Sequence, residues 1–386
     1  MDLSQTFLRH FEVLKDPRMQ NHRLRHNLHD ILVITILATI CGADTWTDIC
    51  LFAECKLDWL KTFLALPHGV PSHDTFGRVF SMLNPEEFNQ CFLNWIHSLS
   101  VDIEGEVIAI DGKSLRGSQE VKNGLRPLHL VSAWAASTGL MLGQCSTQEK
   151  SNEIEAIPRL LKMLDVEGSI VTIDAIGCQQ TIAKQILAQN ANYVLSLKDN
   201  QPSLHQATQE LFRLAEQNKQ KQYKKILHRR KVEKIHDHGR IETRKYTLVS
   251  ARDVTALQIQ WPGLEGIGKV EVKRTVNKKT VTSVRYFLTS LPYESIDDFM
   301  QAVRKHWNIE INLHWSLDVS FREDLNRVRE KNAAQNLAIV RRVALNLLKH
   351  EKSLKVGISA KRKKGGWCNK YLLKVLTTDQ NIGKIS

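Results

Sequence analysis

Two aspartates each end a short apolar run with the composition of a β-strand. Asp111 ends the run VIAID, and Asp174 ends the run IVTID. A carboxylate at the end of a buried strand is costly unless it reaches solvent, a cation or another partner. In an open α/β sheet, ligands gather outside the carboxyl ends of parallel strands. Two neighbouring strands of this kind would bring both carboxylates within reach of one divalent cation, and their oxygen atoms suit Mg²⁺ or Mn²⁺ better than zinc.

A third carboxylate on a later helix would complete a site for two metal ions. Glu310, in the segment RKHWNIEINLHW, is the natural candidate, with His306 and His314 one helical turn before and after it. Such a site activates a water or a 3′-hydroxyl on one side and stabilises the leaving oxygen on the other. Helix geometry alone does not select Glu310. Three acids that follow it closely are rivals for the third position: Asp318, Glu323 and Asp324.

Each of these residues also has a simpler interpretation. A strand-terminal aspartate commonly caps the next turn or helix, and Gly112 after Asp111 favours a turn at that point. Glu310 and its neighbouring histidines could form a solvated helical stripe or hold a zinc ion. The metal-site hypothesis therefore depends on the ordered set of strand aspartate, strand aspartate and helix glutamate.

The composition is that of a globular chain with an excess of positive charge. Its 386 residues are 42% hydrophobic and 25% charged, which suits full-sized cores in two or three domains. This excludes a disordered chain, a collagen-like repeat and a small disulfide-stapled protein. Lysine and arginine number 54 against 41 acidic residues, a formal charge of +13. That excess predicts a polyanionic partner, either nucleic acid or an anionic membrane surface.

Several features favour a cytoplasmic protein that does not span a membrane. The longest apolar run, residues 31–43, is shorter than the roughly 20 residues that a spanning helix needs. The N-terminal segment MDLSQTFLRHFEVL lacks the pattern of a secretory signal. The seven cysteines are scattered without a C-x-x-C pair, which is typical of reduced thiols.

Three regions of the chain differ in periodicity. Residues 1–100 have helical spacing and are predicted to form an N-terminal domain. From Glu106 onwards, a hairpin near Thr138-Gly139 and then β-α-β units predict one mixed α/β sheet flanked by helices. A polar, strand-like stretch at about residues 220–290 predicts a β-rich insertion before the last helices. We therefore expect a catalytic domain at 101–350 and a basic C-terminal tail at 351–386.

Five segments of the chain resemble the DDE transposases of bacterial insertion sequences, and among them the H-repeat-associated group. The segments are IAIDGKSLRGS, TIDAIGCQ, YVLSLKDNQ, HGRIETR and HWNIEINLHWSLDVSFRED. They occur in the right order, and the resemblance extends over nearly the whole chain, from DPRMQNHRLRHNLHDILVITILATICGADTW to NAAQNLAIVRRVALNLLK.

The resemblance implies an RNase H-like mixed sheet interrupted by the β-rich insertion. It assigns the acidic triad, as catalytic residues and metal ligands, to Asp111, Asp174 and Glu310, which would hold Mg²⁺ or Mn²⁺, two ions in all. The implied chemistry is strand cleavage at the ends of the element, followed by attack of the freed 3′-OH on target DNA. The implied partners are double-stranded DNA, as terminal inverted repeats and target, and a second copy in a homodimeric active complex. The implied location is the cytoplasm, on the nucleoid when bound to DNA, and the helical N-terminal domain would recognise the element ends.

The chain departs from the family pattern at four positions. His306 and Leu317 stand where related transposases often have arginine and lysine, Ile311 stands where this group usually has asparagine, and Asp199 stands where it tends to have glycine. These departures motivate one alternative, a decayed transposase that only binds DNA. The other alternative is a metal-dependent nuclease of the same fold that cuts without strand transfer.

Basic residues near the predicted acids are candidates for contacts with DNA phosphates. Lys113 and Arg116 follow Asp111, although they could equally balance the charge of local acids. Lys198 ends a strand on the same side of the sheet if the three strands are parallel, and it could hold a phosphate or compensate Asp174. Trp307 and Trp315 recur at helical spacing with apolar neighbours, so they are predicted to lie in the core.

The β-rich insertion contains the other candidates for DNA contact. The most basic stretch, residues 219–234, could be a solvated face or could bind phosphates, each of which adds a salt-dependent term to the affinity. Its candidates are Lys224, Lys225, Arg229 and Arg230. Arg240 and Arg244 alternate with Glu242, so a strand would place all three on one face, where an Arg-Glu-Arg ladder is the alternative to DNA contact.

Overall fold

The computed structural model describes residues 7–19, 24–99, 102–120, 124, 126–147, 152–217, 228–237, 240–252 and 261–377. The helices within these ranges are α1 Leu28–Cys41, α2 Trp46–Cys55, α3 Leu57–Leu60, α4 His73–Met82, α5 Pro85–Ser98, α6 Glu153–Met163, α7 Gln180–Ala188, α8 Pro202–Gln217, α9 Ile296–Asn308, α10 Trp315–Ser320, α11 Ala333–His350, α12 Ile358–Trp367 and α13 Asn369–Leu376. The strands are β1 Val107–Leu115, β2 Leu128–Ala135, β3 Leu140–Thr147, β4 Ile170–Ile173, β5 Asn192–Leu197, β6 His228–Asp237, β7 Arg240–Ser250, β8 Gly266–Val276 and β9 Lys279–Thr289.

Helix α1 runs through the most apolar segment of the chain and is buried along almost its whole length. Asn27 caps its start by accepting a hydrogen bond from the Asp30 N–H, and Gly42 ends it in the left-handed region with φ of 113°. The helix packs against α2, α11 and α12. In the described ranges, no single helix is long and apolar enough to cross a membrane. Helices α1 and α2 meet that criterion only together, as a pair bent by 95°.

The nine strands form one mixed sheet in the order β3-β2-β1-β4-β5-β9-β8-β7-β6. Strands β1, β4 and β5 are parallel neighbours, while β1, β2 and β3 form an antiparallel meander. Helices cover the sheet, and the N-terminal region is helical. The predicted RNase H-like mixed sheet, flanked by helices and preceded by a helical region, is confirmed.

The β-rich insertion extends the same sheet. Its strands β6 to β9 are antiparallel, and β9 pairs with β5, so that Leu195 lies opposite Leu288. Buried residues at one end of β7, β8 and β9 continue the core, whereas the outer halves of β8 and β9 are largely exposed. After the insertion, α9 packs against β1 and β4, and α11 packs against β3.

The prediction of a basic C-terminal tail is wrong for residues 351–377. Helices α12 and α13 lie there, and α12 packs against α1. Arg362 is buried and donates hydrogen bonds to the carbonyl oxygen of Thr39, while Lys361 donates to that of Leu348. The basic run therefore satisfies carbonyl groups at helix ends, since a buried cation needs such partners.

Candidate active site

The two predicted aspartates lie at one edge of the parallel part of the sheet. Pairing of β1 with β4 ends at Ile110 opposite Ile173, and Asp111 and Asp174 are the next residues of their strands. The prediction that strand β1 ends at Asp111 is wrong. The strand continues to Leu115, and beyond Ile110 it pairs with β2 alone. Asp111 is therefore within a strand, and its side chain reaches the site because the neighbouring strand β4 has already ended.

Gly112 permits a close approach within β1 and does not form the predicted turn. A Cβ atom on this residue would lie 2.5 Å from Glu153 Oε1 and 2.6 Å from His129 Nε2. These two side chains are buried and joined by a 2.7 Å hydrogen bond. The Glu153–His129 pair, which the sequence did not suggest, therefore packs directly over the backbone beside Asp111.

The third acid lies on a helix that changes its winding at the site. Between α9 and α10 the chain forms a π-helical segment, Ile309–His314, in which the Trp315 N–H donates to the carbonyl oxygen of Glu310. Such segments occur frequently at functional sites. His314 Nδ1 lies 2.9 Å from Glu310 Oε2 and 3.8 Å from Asp111 Oδ2. The imidazole thus links the helix acid to the strand acid.

All three acids of the predicted triad line one cavity of about 220 Å³: Asp111, Asp174 and Glu310. The remaining wall combines cations, aromatic rings and small polar groups from β4, β5, β9 and α9. Among its members are Thr172, Ser196, Lys198, Arg285, Phe287, His306 and Trp307. The fold therefore brings together acids that are separated by 63 and 136 positions in the chain.

The donor atoms of this cavity suit a hard divalent cation. One ligand atom each from Asp111, Glu310 and His314 lie within 4.8 Å of one another. Asp174 lines the same cavity but is not a member of that group. Carboxylate oxygens favour Mg²⁺ or Mn²⁺, and an imidazole nitrogen shifts the preference towards transition metals. His314 Nε2 is buried without a hydrogen-bond partner in the described part of the chain.

Burial makes the aspartates unusually weak acids. Desolvation raises the pKa of Asp111 to about 6, against the opposing effects of His314 and the Gly112 N–H. Desolvation and the charge of Glu153 raise the pKa of Asp174. In Glu310 the hydrogen bond to His314 is the main cause of a lowered pKa. Two buried carboxylates with raised pKa values gain electrostatic stabilisation from a bound cation.

Two cations line the cavity beside the acids. Lys198 directly follows β5, is exposed, and its charge lowers the pKa of Asp174, so it lies on the predicted side of the sheet. Arg285 on β9 lies 5.1 Å from the ring centre of Trp307. Arg285 was missed because its position in the cavity depends on the pairing of β9 with β5, for which the sequence contains no local signal.

Lys113 occupies a buried position and is not presented to a phosphate, contrary to prediction. Its side chain is 7% exposed, and Nζ lies 2.7 Å from Asp318 Oδ1 and 2.9 Å from Asp324 Oδ1. The charge-balance alternative therefore describes this lysine. Arg116 is different, because its side chain is 86% exposed and lies 3.6 Å from Asp324.

The same contacts account for the rival acids. Asp318 and Asp324 are paired with Lys113, and Glu323 is fully buried against the guanidinium of Arg342. None of these three acids is part of the wall of the cavity that holds Asp111 and Asp174, whereas Glu310 is.

If the acids cleave DNA, as the resemblance implies, replacing Lys113 with methionine is expected to slow cleavage about 100-fold without weakening DNA binding. The lysine joins β1 to α10, and a misplacement of about 1 Å in a catalytic group costs about that factor. The measurement is single-turnover cleavage together with the salt dependence of DNA affinity. Lys113→Arg is the matched control and should restore part of the rate. A salt slope reduced by about one, with normal cleavage of bound DNA, would instead identify a phosphate contact.

The basic residues of the insertion are largely engaged with acids or rings. Arg240, Arg244 and Arg274 converge on buried Glu242, with N···O distances of 4.0, 2.5 and 3.0 Å. The predicted common face is confirmed, and the contacts are those of the ladder alternative. Arg229 lies over the ring of Tyr293, and Arg230 is exposed. Two predicted residues lie outside the described ranges: Lys224 and Lys225.

The prediction that Trp307 and Trp315 lie in the core is wrong. They are 48% and 59% exposed. The buried face of this helix is formed instead by Ile309, Leu313 and Leu317. Apolar residues occupy both faces of the segment, so their spacing alone does not identify which face is buried.

Comparison with known proteins links nearly the whole chain to transposases. A family model described as "Transposase DDE domain" matches residues 103–347, and one described as "DDE_Tnp_1-associated" matches residues 8–96. The H repeat-associated putative transposase YhhI of Escherichia coli (strain K12) is 37% identical over 374 residues, covering 96% of this chain and 97% of that protein. The putative transposase YncI of Escherichia coli O157:H7 is 37% identical over 383 residues, covering 98% and 96%. A piggyBac transposase in a synaptic complex with hairpin DNA aligns with 100% of this chain and 79% of its own, at 11% identity and a TM-score of 0.41.

Proposed function

This chain belongs to the DDE transposase family, and on that premise we propose that it cuts DNA at the ends of its element and transfers the freed 3′-OH to target DNA. The observation that supports this proposal is the convergence of Asp111, Asp174 and Glu310 on one cavity. Its substrates would be the terminal inverted repeats and a target duplex, brought together by a homodimer in the cytoplasm.

The proposed reaction has two displacements at phosphorus. In the first, a water oxygen bonds to the scissile phosphorus and loses a proton to solvent, while the bond from phosphorus to the 3′-oxygen breaks and that oxygen takes up a proton to become a 3′-hydroxyl. In the second, the 3′-hydroxyl loses its proton to solvent as its oxygen bonds to a target phosphorus, and the 3′-oxygen of the target leaves and takes up a proton. A divalent ion bound by the acids would activate the attacking oxygen and stabilise the leaving one.

The protein groups around the cavity would bind and orient the DNA. Asp111, Asp174 and Glu310 would hold Mg²⁺ or Mn²⁺, two ions in all, with His314 fixing the position of Glu310. Lys198, exposed at the cavity, is suited to a phosphate oxygen.

His306, the histidine among the described residues that line this cavity, is poorly suited to act as a general base. It lies on α9, and its Nδ1 is 3.0 Å from Thr172 Oγ1. Burial lowers the pKa of His306 to about 4, so the ring is neutral at physiological pH but only weakly basic. We assign it the role of joining α9 to β4, which would position the helix that carries Glu310.

A strand-transfer assay tests the proposal. Short duplexes that carry the inverted repeats, read from the DNA flanking the gene, are incubated with the protein, Mg²⁺ and a supercoiled target. We expect products in which the 3′ ends are joined to target DNA. Nicked or cut ends without joined products would indicate the nuclease alternative.

Calorimetry with Mn²⁺ tests the alternative of a decayed transposase. Of the departures from the family pattern, Leu317 is buried in the core and His306 joins two elements, so neither removes an acid from the cavity. We therefore expect saturable Mn²⁺ binding in the micromolar to millimolar range. Glu310→Gln should weaken that binding, and an exposed control, Glu167→Gln, should leave it unchanged. No binding heat with the unaltered protein would support the decayed alternative.

A further inference from the structure

A second and larger cavity, of about 940 Å³, lies at the far end of the three-strand meander. It is lined by Leu128 at the start of β2 and by Ser146 and Thr147 at the end of β3. Leu128 pairs with Leu115, the last residue of β1. The cavity therefore lies further along the strand that contains Asp111, beyond the acidic site.

Four cationic side chains surround this cavity, and we call them and the space between them the basic cleft: Arg126, Arg159, Arg329 and Lys331. Glu155 is the acidic residue among the described residues that line it. Arg126, Arg159 and Lys331 are exposed, and Arg329 is half-buried. The described residues that line the cleft contribute four cationic groups and one carboxylate, and Glu120 lies beside them, 3.6 Å from Arg329. Such an excess of positive charge in a concave surface raises the local concentration of polyanions.

Hydrogen bonds hold two of the guanidinium groups at the wall of the basic cleft. Arg159 donates to the carbonyl oxygen of Ser146 at 2.9 Å, and Arg329 donates to that of Gly117 at 3.2 Å. A guanidinium has five N–H donors, so these contacts orient the groups without using all of their donors. Asn152, which precedes α6, also lines the cleft. The N-terminal end of that helix adds a favourable dipole for an anion.

The two cavities lie at different points along β1 and its partner strand β2. Four residues separate Asp111 from Leu115 along β1, which at about 3.3 Å per residue is about 13 Å. One strand of a duplex advances 3.4 Å per base pair, so this corresponds to about four base pairs.

We propose that the basic cleft binds the sugar-phosphate backbone of duplex DNA about four base pairs from the phosphate that is cut. The proposal rests on the proposed function, because it assumes that the cut phosphate lies at Asp111. The cleft would fix the register of the duplex, while the acids would carry out the chemistry. Backbone contacts of this kind position DNA without reading its sequence.

Fluorescence anisotropy with a labelled duplex that carries one inverted repeat tests this proposal. The double variant Arg126→Gln/Arg159→Gln removes two charges from the cleft. We expect the slope of log affinity against log salt to become shallower by about 1.8, and affinity at 0.15 M salt to fall about 30-fold. Lys184→Gln/Lys370→Gln is the control of equal charge, since both lysines are exposed, lie outside the N-terminal domain and do not line the cleft. The control variant should retain most of the slope of log affinity against log salt that the unaltered protein shows.

A charge-adding variant guards against misfolding of the double variant. Glu155 is exposed, so Glu155→Lys should fold normally and bind the duplex more tightly, with a steeper salt slope. Binding curves of both variants that match the unaltered protein would overturn the proposal. The proposal would also be overturned if Glu155→Lys changed the binding of a mononucleotide but not of the duplex. The same holds if this variant changed only self-association of the protein.

The outcomes separate this proposal from the proposed function. If the double variant binds DNA more weakly but the unaltered protein does not cleave DNA, the role of the basic cleft is supported and the proposed cleavage and strand transfer are rejected. Normal cleavage and strand transfer with unchanged binding by the double variant would reject the cleft and leave the chemistry standing.

Discussion

The Asp111→Asn variant is expected to lose at least about a thousand-fold in metal-dependent strand cleavage. Asparagine keeps the size of the side chain and its hydrogen bond with the Gly112 N–H, but it removes the negative charge at the centre of the Asp111, Glu310 and His314 group. A loss of about 4 kcal/mol of transition-state stabilisation corresponds to that factor. The measurement is the single-turnover cleavage rate of a labelled duplex with Mg²⁺ in excess.

Two controls define the meaning of that loss. Asp165→Asn changes an exposed acid in the loop between α6 and β4, and it should cleave at the unaltered rate. DNA affinity of Asp111→Asn, measured by anisotropy, should stay close to that of the unaltered protein because the change adds no negative charge. Cleavage by Asp111→Asn at the rate of the unaltered protein would reject the proposed role of the acid.

Replacing Glu323 with alanine is expected to lower the free energy of unfolding by about 3–5 kcal/mol. Glu323 is buried, bonds to the guanidinium of Arg342 and lies 4.0 Å from that of Arg341. Both arginines are themselves buried, so the variant leaves two guanidinium groups without their carboxylate. The measurement is the midpoint of a urea unfolding curve followed by circular dichroism.

An exposed ion pair provides the matched control for this prediction. Glu210 pairs with Arg213 on the surface of α8, where solvent weakens the attraction. Glu210→Ala should leave the midpoint unchanged within error. An equal shift in the two variants would show that the Glu323 pair has no special role in the core.

Much of the fold could be predicted from local patterns. The helical spacing of residues 1–100 predicted helices in that region, and α1 to α5 lie there. The alternation of strand and helix predicted one mixed sheet, in which β1, β4 and β5 are parallel neighbours. These features depend on residues that are close in sequence, where side-chain periodicity and capping act directly.

Features that depend on distant partners could not be predicted in this way. The strand β9 joins β5, so the insertion became part of the main sheet. Residues 358–376 form two helices, of which α12 packs against α1 and α13 packs against α11 and α12. The exposure of Trp307 has the same origin, since the identity of the buried face depends on what packs against it.

The sequence by itself determined the ordered set of acids, the strands that place Asp111 and Asp174 at one sheet edge, and the family to which the chain is similar. The tertiary structure alone decided which acids remain free to bind a cation. Lys113 pairs with Asp324, 211 positions away in the chain, and Arg342 pairs with Glu323. Glu310 has no such cationic partner from lysine or arginine among the described residues, and it lines the cavity. The physical reason is that strand and helix formation follow local spacing, whereas the partner of a buried charge is fixed only when distant segments pack together.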